Sequence, residues 1–449
     1  MPMPPDAPRV DHPESTAPRG WFLSNGRVTV LITDAGTGFT SVDDCRLNPW
    51  SGDRIEDRDG FFVYLRDLDT GAVWSAGRKP VARPPARYSA VRKPGAFEIA
   101  RTDNGTTSRM EIWIPPDLPV ELRRITLVND DARPRRIELT SYVEVCLGAP
   151  AAYAAHPAFS KLFVQTAAAM EGHALLATRR PRARGESHPF MVHALLEPAE
   201  VQCETDRARF LGRFRDVASP IAFESNAPLS GSTGNVLDPV LCLRRTADLA
   251  AGGSAVATFL LGAMADRDEA LDIFRRLAAT SGARDSDSLE RAREHETRAL
   301  REMGLGEPEA EYAQGIAAAM LYGHPALRAA PDVLSRAHGC LSDLESVGMS
   351  QRRPFALIDA VNPAGARLLP DLLRMHRYWE SMALGIDLLV LCDDAERTRA
   401  QAGNVRETVR FAPAADIAPA FRDLIAAAAR LVVIDRLPDL GTPGPWKQP

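Results

Sequence analysis

The sequence predicts a mainly β chain: a large antiparallel β-sandwich or barrel, then a helical segment, then a small α/β module. Two observations carry this. From Gly20 to about Met264 the chain runs in short segments that alternate apolar and polar residues, with turn residues between them and no helical stretch intervening; that is the pattern of antiparallel strands. Beyond Met264 the apolar spacing changes to three and four, and two continuous apolar runs flank a helix, as in a parallel strand pair with its crossover.

Taken in order, the first twenty residues hold six prolines and almost no large apolar side chains, so residues 1–19 are expected to be a disordered lead. Residues 20–265 are the β domain. In RRIELTSYVEVCL (135–147), Ile137, Leu139, Val143, Val145 and Leu147 share one face while Glu138, Thr140 and Glu144 share the other, which predicts a half-buried strand. The same alternation marks RVTVLIT (27–33), FFVYLRD (61–67), SRMEIWIP (108–115) and SAVATFLLG (254–262). Asp69-Thr70-Gly71, Asp103-Asn104-Gly105 and Asn129-Asp130-Asp131 punctuate them as turns. So long a β region implies two large packed sheets.

Residues 266–350 read as a helical linker. Leu271, Phe274 and Leu277 fall at helical spacing, SDSLERAREHETRALREM is a charged helix closed by Gly304, and EAEYAQGIAAAMLYG is another helix. Residues 351–436 read as the α/β module: RPFALIDAV, a helix through ARLLPDLLRMHRYWESMALG with Pro370 inside it, the apolar run IDLLVLCD, and a further helix-to-strand step in AFRDLIAAAARLVVID. Residues 437–449 are a tail.

Composition narrows the function. A formal net charge of -5 with a pI near 6.0 gives no reason to expect nucleic acid. No apolar run reaches the roughly 18 residues of a membrane helix, and the N-terminus lacks a secretory h-region. Six cysteines without a CxxC pair point to reduced thiols and a cytoplasmic protein. No P-loop, HExxH or GxSxG motif occurs, and Asp34-Ala35-Gly36-Thr37-Gly38 lies between strands, which predicts a tight turn rather than a dinucleotide loop. His173, His188 and His193 have no Cys or acid at ligand spacing, so neither metal nor cofactor is expected. The acids Asp43, Asp44, Asp53, Glu56, Asp57 and Asp59 have the composition of a solvated loop as much as of a glycosidic carboxylate pair. The segment 78–95 carries six cations and no acid, and a solvated interstrand loop accounts for it.

The tryptophans are the better lead. An aromatic face takes the C–H face of a sugar while nearby Asp, Asn and Arg hold its hydroxyls. Trp50, behind the rigid Asn48-Pro49, is the strongest candidate; an exposed sugar platform and a buried corner both fit the local sequence. Asp53, Arg54 and Trp74 complete the candidate substrate contacts. No residue is assigned as a catalyst.

The run LSNGRVTVLITDAGTGFTSVDD with NPWSGDRIEDRDGFFVYLRDLDTGAVWSAGRKP resembles the opening of the sandwich domain of glycoside hydrolase family 94, formerly glycosyltransferase family 36, in its cyclic β-1,2-glucan synthase-like branch. CETDRARFLGRFRD (203–216), LSGSTGNVLDPVLCLRRT (229–246), LYGHPALRA (321–329) and LLPDLLRMHRYWESMALGIDLLVLCDD (368–394) agree in the same order. The resemblance implies a β-supersandwich of galactose mutarotase-like kind, and in catalytic members a linker and an (α/α)6 barrel that carries the general acid of glycosyl transfer or phosphorolysis. After Gly304 this sequence has 145 residues, short of twelve helices of about 10–14 residues each, so no barrel is expected. At 341–354 the family's tryptophan and glycine are replaced by Glu345 and Gln351.

The resemblance implies a β-glucan-binding or scaffolding unit, with a separate chain carrying the barrel or a glycosyltransferase domain as partner. Alternatives are a sugar-active enzyme, either of aldose-epimerase type recruiting His188, His193 and Glu204 or a glycosyltransferase or phosphorylase acting with a partner chain, and a truncated product without function.

Overall fold

The strand Val28–Thr33 is made of β-branched and apolar residues, and all six are buried. It turns back through Asp34–Thr37 into Gly38–Val42, which it pairs antiparallel with Leu31 opposite Phe39. The turn is glycine-dependent: Gly36 and Gly38 sit at φ of +86° and +138°, and a Cβ on Gly38 would lie 1.9 Å from the Leu31 carbonyl oxygen. The Gly36–Gly38 run is therefore a turn between strands, as its sequence predicts.

The computed structural model describes residues 9–11, 13, 17–181, 183–280 and 285–440. Most of the expected lead (1–19), and the tail beyond residue 440, lie outside the described residues. The chain groups into two compact units, one built on Phe22–Thr297 and the other on Arg298 onward with Arg19–Trp21.

The first unit holds two large antiparallel sheets. One has nine strands in the order Arg9–Val10, Arg87–Lys93, Ala96–Asp103, Thr106–Trp113, Val120–Asn129, Ser254–Met264, Phe190–Leu195, Ala174–Arg179 and Val164–Ala169. The other has five: Gln202–Asp206, Pro239–Leu249, Arg135–Glu144, Phe61–Asp67 and Val73–Ser75. Polar groups tie the sheets together across the core. His193 bonds Ser141 Oγ at 2.7 Å and the Leu260 carbonyl at 2.9 Å, while Arg123 donates to the Phe61 carbonyl and pairs with buried Glu121. The helix Arg267–Ala278 covers the outer face of the nine-stranded sheet, placing Leu271 and Phe274 against Trp113, Leu122, Val192 and Leu260.

The strand Arg135–Glu144 departs from the half-buried expectation. Seven consecutive residues, Ile137 to Val143, are buried, so both faces are covered. Tyr142 and Tyr64 pack with Phe210, Phe223 and Val217 on the outward side, and each such side chain contributes about 1.5–3 kcal/mol on burial. Glu138 and Thr140 are not solvated; Arg244 reaches them at 3.3 Å and 3.0 Å.

The second unit contains a four-stranded parallel sheet in the order Val409–Pro413, Asp387–Cys392, Phe355–Asp359 and Leu431–Val433. The crossover helix Pro363–Ser381 starts at Asn362, whose side chain accepts from the Ala364 amide. Leu368, Leu372, Met375 and Trp379 lie on its buried face, and Pro370 lies on the exposed face, where solvent can meet the carbonyl that proline leaves without a donor. Trp379 Nε1 donates to the Ala313 carbonyl at 2.8 Å, joining this helix to Glu307–Leu321. In the 341–354 segment, Leu344 and Met349 are buried while Glu345 and Gln351 are exposed.

Candidate functional site

Asn48 positions the tryptophan loop. It is 1% exposed; its amide donates to the carbonyls of Gly38 and Pro49, and its oxygen accepts from the Thr40 amide at 2.8 Å. Beyond Trp50, both the amide and the hydroxyl of Ser51 donate to Asp59 Oδ2 at 2.6 Å, which closes the loop on itself. Trp50 meets Phe39 edge-on, centroids 5.4 Å apart, and is half-buried. The ring is therefore seated on the core at one side and open at the other.

The open side lines a cleft of about 560 Å³. Pro49, Trp50, Ser51, Arg58 and Asp59 form one wall with Arg46; Pro150, Tyr153, Ala154, Pro157 and Lys161 form another. Those last residues belong to two short helices, Pro150–Ala155 and Pro157–Lys161, each begun by a proline. Glu144, at the end of its strand, and Arg207, which opens the helix Arg207–Leu211, complete the lining with Cys146, Asp216 and Val217.

The charges form a network. Glu144 Oε1 accepts from Arg207 Nε at 2.7 Å and from the Tyr142 hydroxyl at 2.9 Å, and Glu144 Oε2 lies 3.7 Å from Lys161 Nζ. Asp238 accepts from Lys161 at 2.6 Å and from Arg207 at 3.3 Å. Burial alone would lower the Arg207 pKa, but Glu144, Tyr142 and Asp238 outweigh it and hold the guanidinium above its ordinary range. Burial pushes the Tyr153 phenol up, and Glu144 adds to this; the hydroxyl is thus neutral and able to both donate and accept. Arg46 is lowered to about 10 by burial. Burial likewise raises the Cys45 and Cys146 thiols, to about 11 and about 12, which makes them poor nucleophiles. An aromatic ring facing fixed donors and acceptors can bind a polyhydroxylated ring.

Of the four candidate contacts, only Trp50 lines this cleft. Asp53 and Arg54 are exposed farther along the loop. Asp53 Oδ1 accepts from the amides of Ile55 and Glu56 at 2.8 Å and 3.2 Å, and these bonds hold its pKa below the usual range. It serves the backbone turn. Trp74 requires a correction: it is 0% exposed, on the strand Val73–Ser75 opposite Leu65, and a ring without an open face cannot stack on a sugar. Arg46, Glu144, Tyr153, Lys161 and Arg207 were missed by the sequence reading. Arg207 does lie in the CETDRARF block that carried the family resemblance.

His188, His193 and Glu204 are not brought together. His193 is 0% exposed and its pKa is lowered to about 4 by burial. His188 lies 3.1 Å from Glu186. Glu204 is buried and accepts from the amides of Thr205 and Asp206 and from the Ser230 hydroxyl. Among the described residues, no group of three or more His, Cys, Asp or Glu is placed to hold a metal ion, and no helix is long and apolar enough to cross a membrane. In the basic segment, Arg92 pairs with Glu296, Lys93 with Glu98, and Lys79 donates to the Glu56 carbonyl.

The chain is 29% identical over 395 residues to the cyclic β-(1,2)-glucan synthase NdvB of Rhizobium meliloti (strain 1021), a match covering 86% of this chain and 14% of that protein. It is 28% identical over 218 residues to solabiose phosphorylase of Paenibacillus borealis, covering 49% of this chain and 28% of the relative. The chain thus spans less than a third of the length of either relative. Among solved structures, a bacterial glucoamylase complexed with acarbose aligns with a TM-score of 0.40 and 7% identity, over 71% of this chain and 42% of that one. Residues 7–280 match the family described as glycosyl hydrolase 94, supersandwich domain. The two-sheet domain is that supersandwich, and the chain belongs to the glycosyl hydrolase 94 family.

Proposed function

We propose that this chain is a β-glucan-binding or scaffolding unit, that its sugar lies in the Trp50 cleft, and that it works beside a separate polypeptide carrying a catalytic barrel or glycosyltransferase domain. The observation that carries this reading is the placement of a half-open tryptophan ring on a cleft whose other walls present Tyr153, Lys161, Arg207 and Glu144. The ring would stack on the C–H face of a glucose unit, and the network opposite would bond its hydroxyls. The similarity to a cyclic β-(1,2)-glucan synthase favours a β-1,2-linked ligand.

Calorimetric titration of the purified chain with linear and cyclic β-1,2-glucans, with a cellulose oligomer as control, tests the reading. Saturable heat with the β-1,2-linked ligands and weaker binding of cellulose are expected. A folded chain that gives no heat with any glucan would refute a stand-alone binding unit.

A further inference from the structure

Every cation on the cleft but one is matched by an acid. Arg207 and Lys161 share Glu144 and Asp238, and Arg58 pairs with Glu56 at 2.7 Å. The cleft acids are engaged too: Asp59 accepts twice from Ser51, and Asp216 accepts from the Ala218 amide at 2.9 Å. Arg46 stands apart. Its Nε donates to Ser41 Oγ at 2.8 Å, and its guanidinium lies 3.4 Å from the Phe39 centroid and 5.9 Å from that of Trp50. Among the described residues, no carboxylate pairs with it and no acceptor takes its two terminal nitrogens.

We infer that Arg46 is an anion subsite of this cleft, and that the preferred ligand is a sugar bearing a carboxylate or phosphate set against the guanidinium fork beside Trp50. The inference rests on the sugar reading of the cleft. Removing a guanidinium from water without a counter-charge is costly. Here the guanidinium lies against the Phe39 ring and within cation–π reach of Trp50, on a side chain that lines the cleft. A planar fork held in this way matches the two oxygens of a carboxylate or phosphate better than a sugar hydroxyl. The quartet of Glu144, Asp238, Lys161 and Arg207 is balanced within itself, and Asp59 and Asp216 are held by Ser51 and the Ala218 amide, so Arg46 is the lining cation that no acid has claimed.

Calorimetry on the whole chain with four probes tests this: glucose, glucuronic acid, glucose 6-phosphate and inorganic phosphate. A charged-group hydrogen bond is worth about tenfold or more in affinity, so at least one sugar anion is expected to bind at least tenfold tighter than glucose. Comparison of glucuronic acid with glucose 6-phosphate tells which anion the fork takes, and inorganic phosphate tells whether the anion suffices without the sugar. In Arg46→Met, which keeps an apolar stem on Phe39, the anion-to-glucose ratio should fall to near one. Arg46→Lys should restore part of it, and circular dichroism checks that both variants fold.

Equal binding of glucose and both sugar anions would overturn the anion subsite and leave the sugar reading standing. So would a preference that persists in Arg46→Met. Phosphate binding that depends on Arg46, with no sugar binding at all, would support the anion site and sink the sugar reading. Silence with all four probes would sink the anion site.

Discussion

His193 should make the first unit sensitive to mild acid. Its ring sits between the two sheets, edge-on to Phe61 and stacked with Phe259. A carbonyl only accepts, so Nδ1 carries the proton given to Leu260, and Nε2 accepts from the Ser141 hydroxyl in the neutral ring. Burial, with the Arg123 charge nearby, lowers the folded pKa to about 4, against about 6.5 in the unfolded chain. A depressed folded pKa means that the stabilisation is present above about pH 6.5 and is lost as the pH falls toward 4. Between pH 7.5 and 5 the unfolded chain takes up nearly one proton here that the folded one refuses, a loss of about 2 kcal/mol by linkage. Few carboxylates titrate in that window. The assay is urea unfolding of the first unit at pH 7.5, 6 and 5 for the wild type and His193→Asn. The variant begins lower, by about 1–3 kcal/mol for the lost bond to Ser141, but should lack most of the pH slope. Parallel slopes in the two proteins would refute the reasoning.

Two further outcomes follow from backbone geometry. Gly38→Ala should cost at least about 2 kcal/mol, and more than Gly36→Ala, because its Cβ would meet the Leu31 carbonyl oxygen at 1.9 Å whereas that of Gly36 would meet Gly77 Cα at 3.3 Å; equal thermal midpoints would contradict this. Pro370→Ala should stabilise the second unit by about 1–3 kcal/mol, since it returns a hydrogen bond to the interior of Pro363–Ser381 at an exposed position, and an unchanged unfolding midpoint would count against it.

What could be read before folding was local. Period-two alternation located Val28–Thr33, Phe61–Asp67 and Arg135–Glu144, and the two apolar runs located the parallel pair Phe355–Asp359 and Asp387–Cys392. The neighbouring strand Val409–Pro413 has one buried residue in five and carries too weak a pattern. Two-sided burial was not legible either. Glu138 and Thr140 read as solvated because the group that reaches them, Arg244, lies about a hundred residues away in sequence. The cleft divides along the same line. Asn48-Pro49 marked Trp50 from its own neighbours, while Glu144, Lys161 and Arg207 converge only through pairings between distant strands and the short helices that follow them. Trp74 looked like Trp50 in sequence, and only its complete burial in the fold separates them.

The most direct test of the account is the indole N–H resonance of Trp50 in a titration with linear β-1,2-glucan. The chain has six tryptophans, and Trp50→Phe assigns the signal. The account predicts that the Trp50 resonance shifts and saturates while that of the buried Trp74 stays in place. Saturable glucan binding that leaves the Trp50 resonance unmoved would place the sugar elsewhere and contradict it.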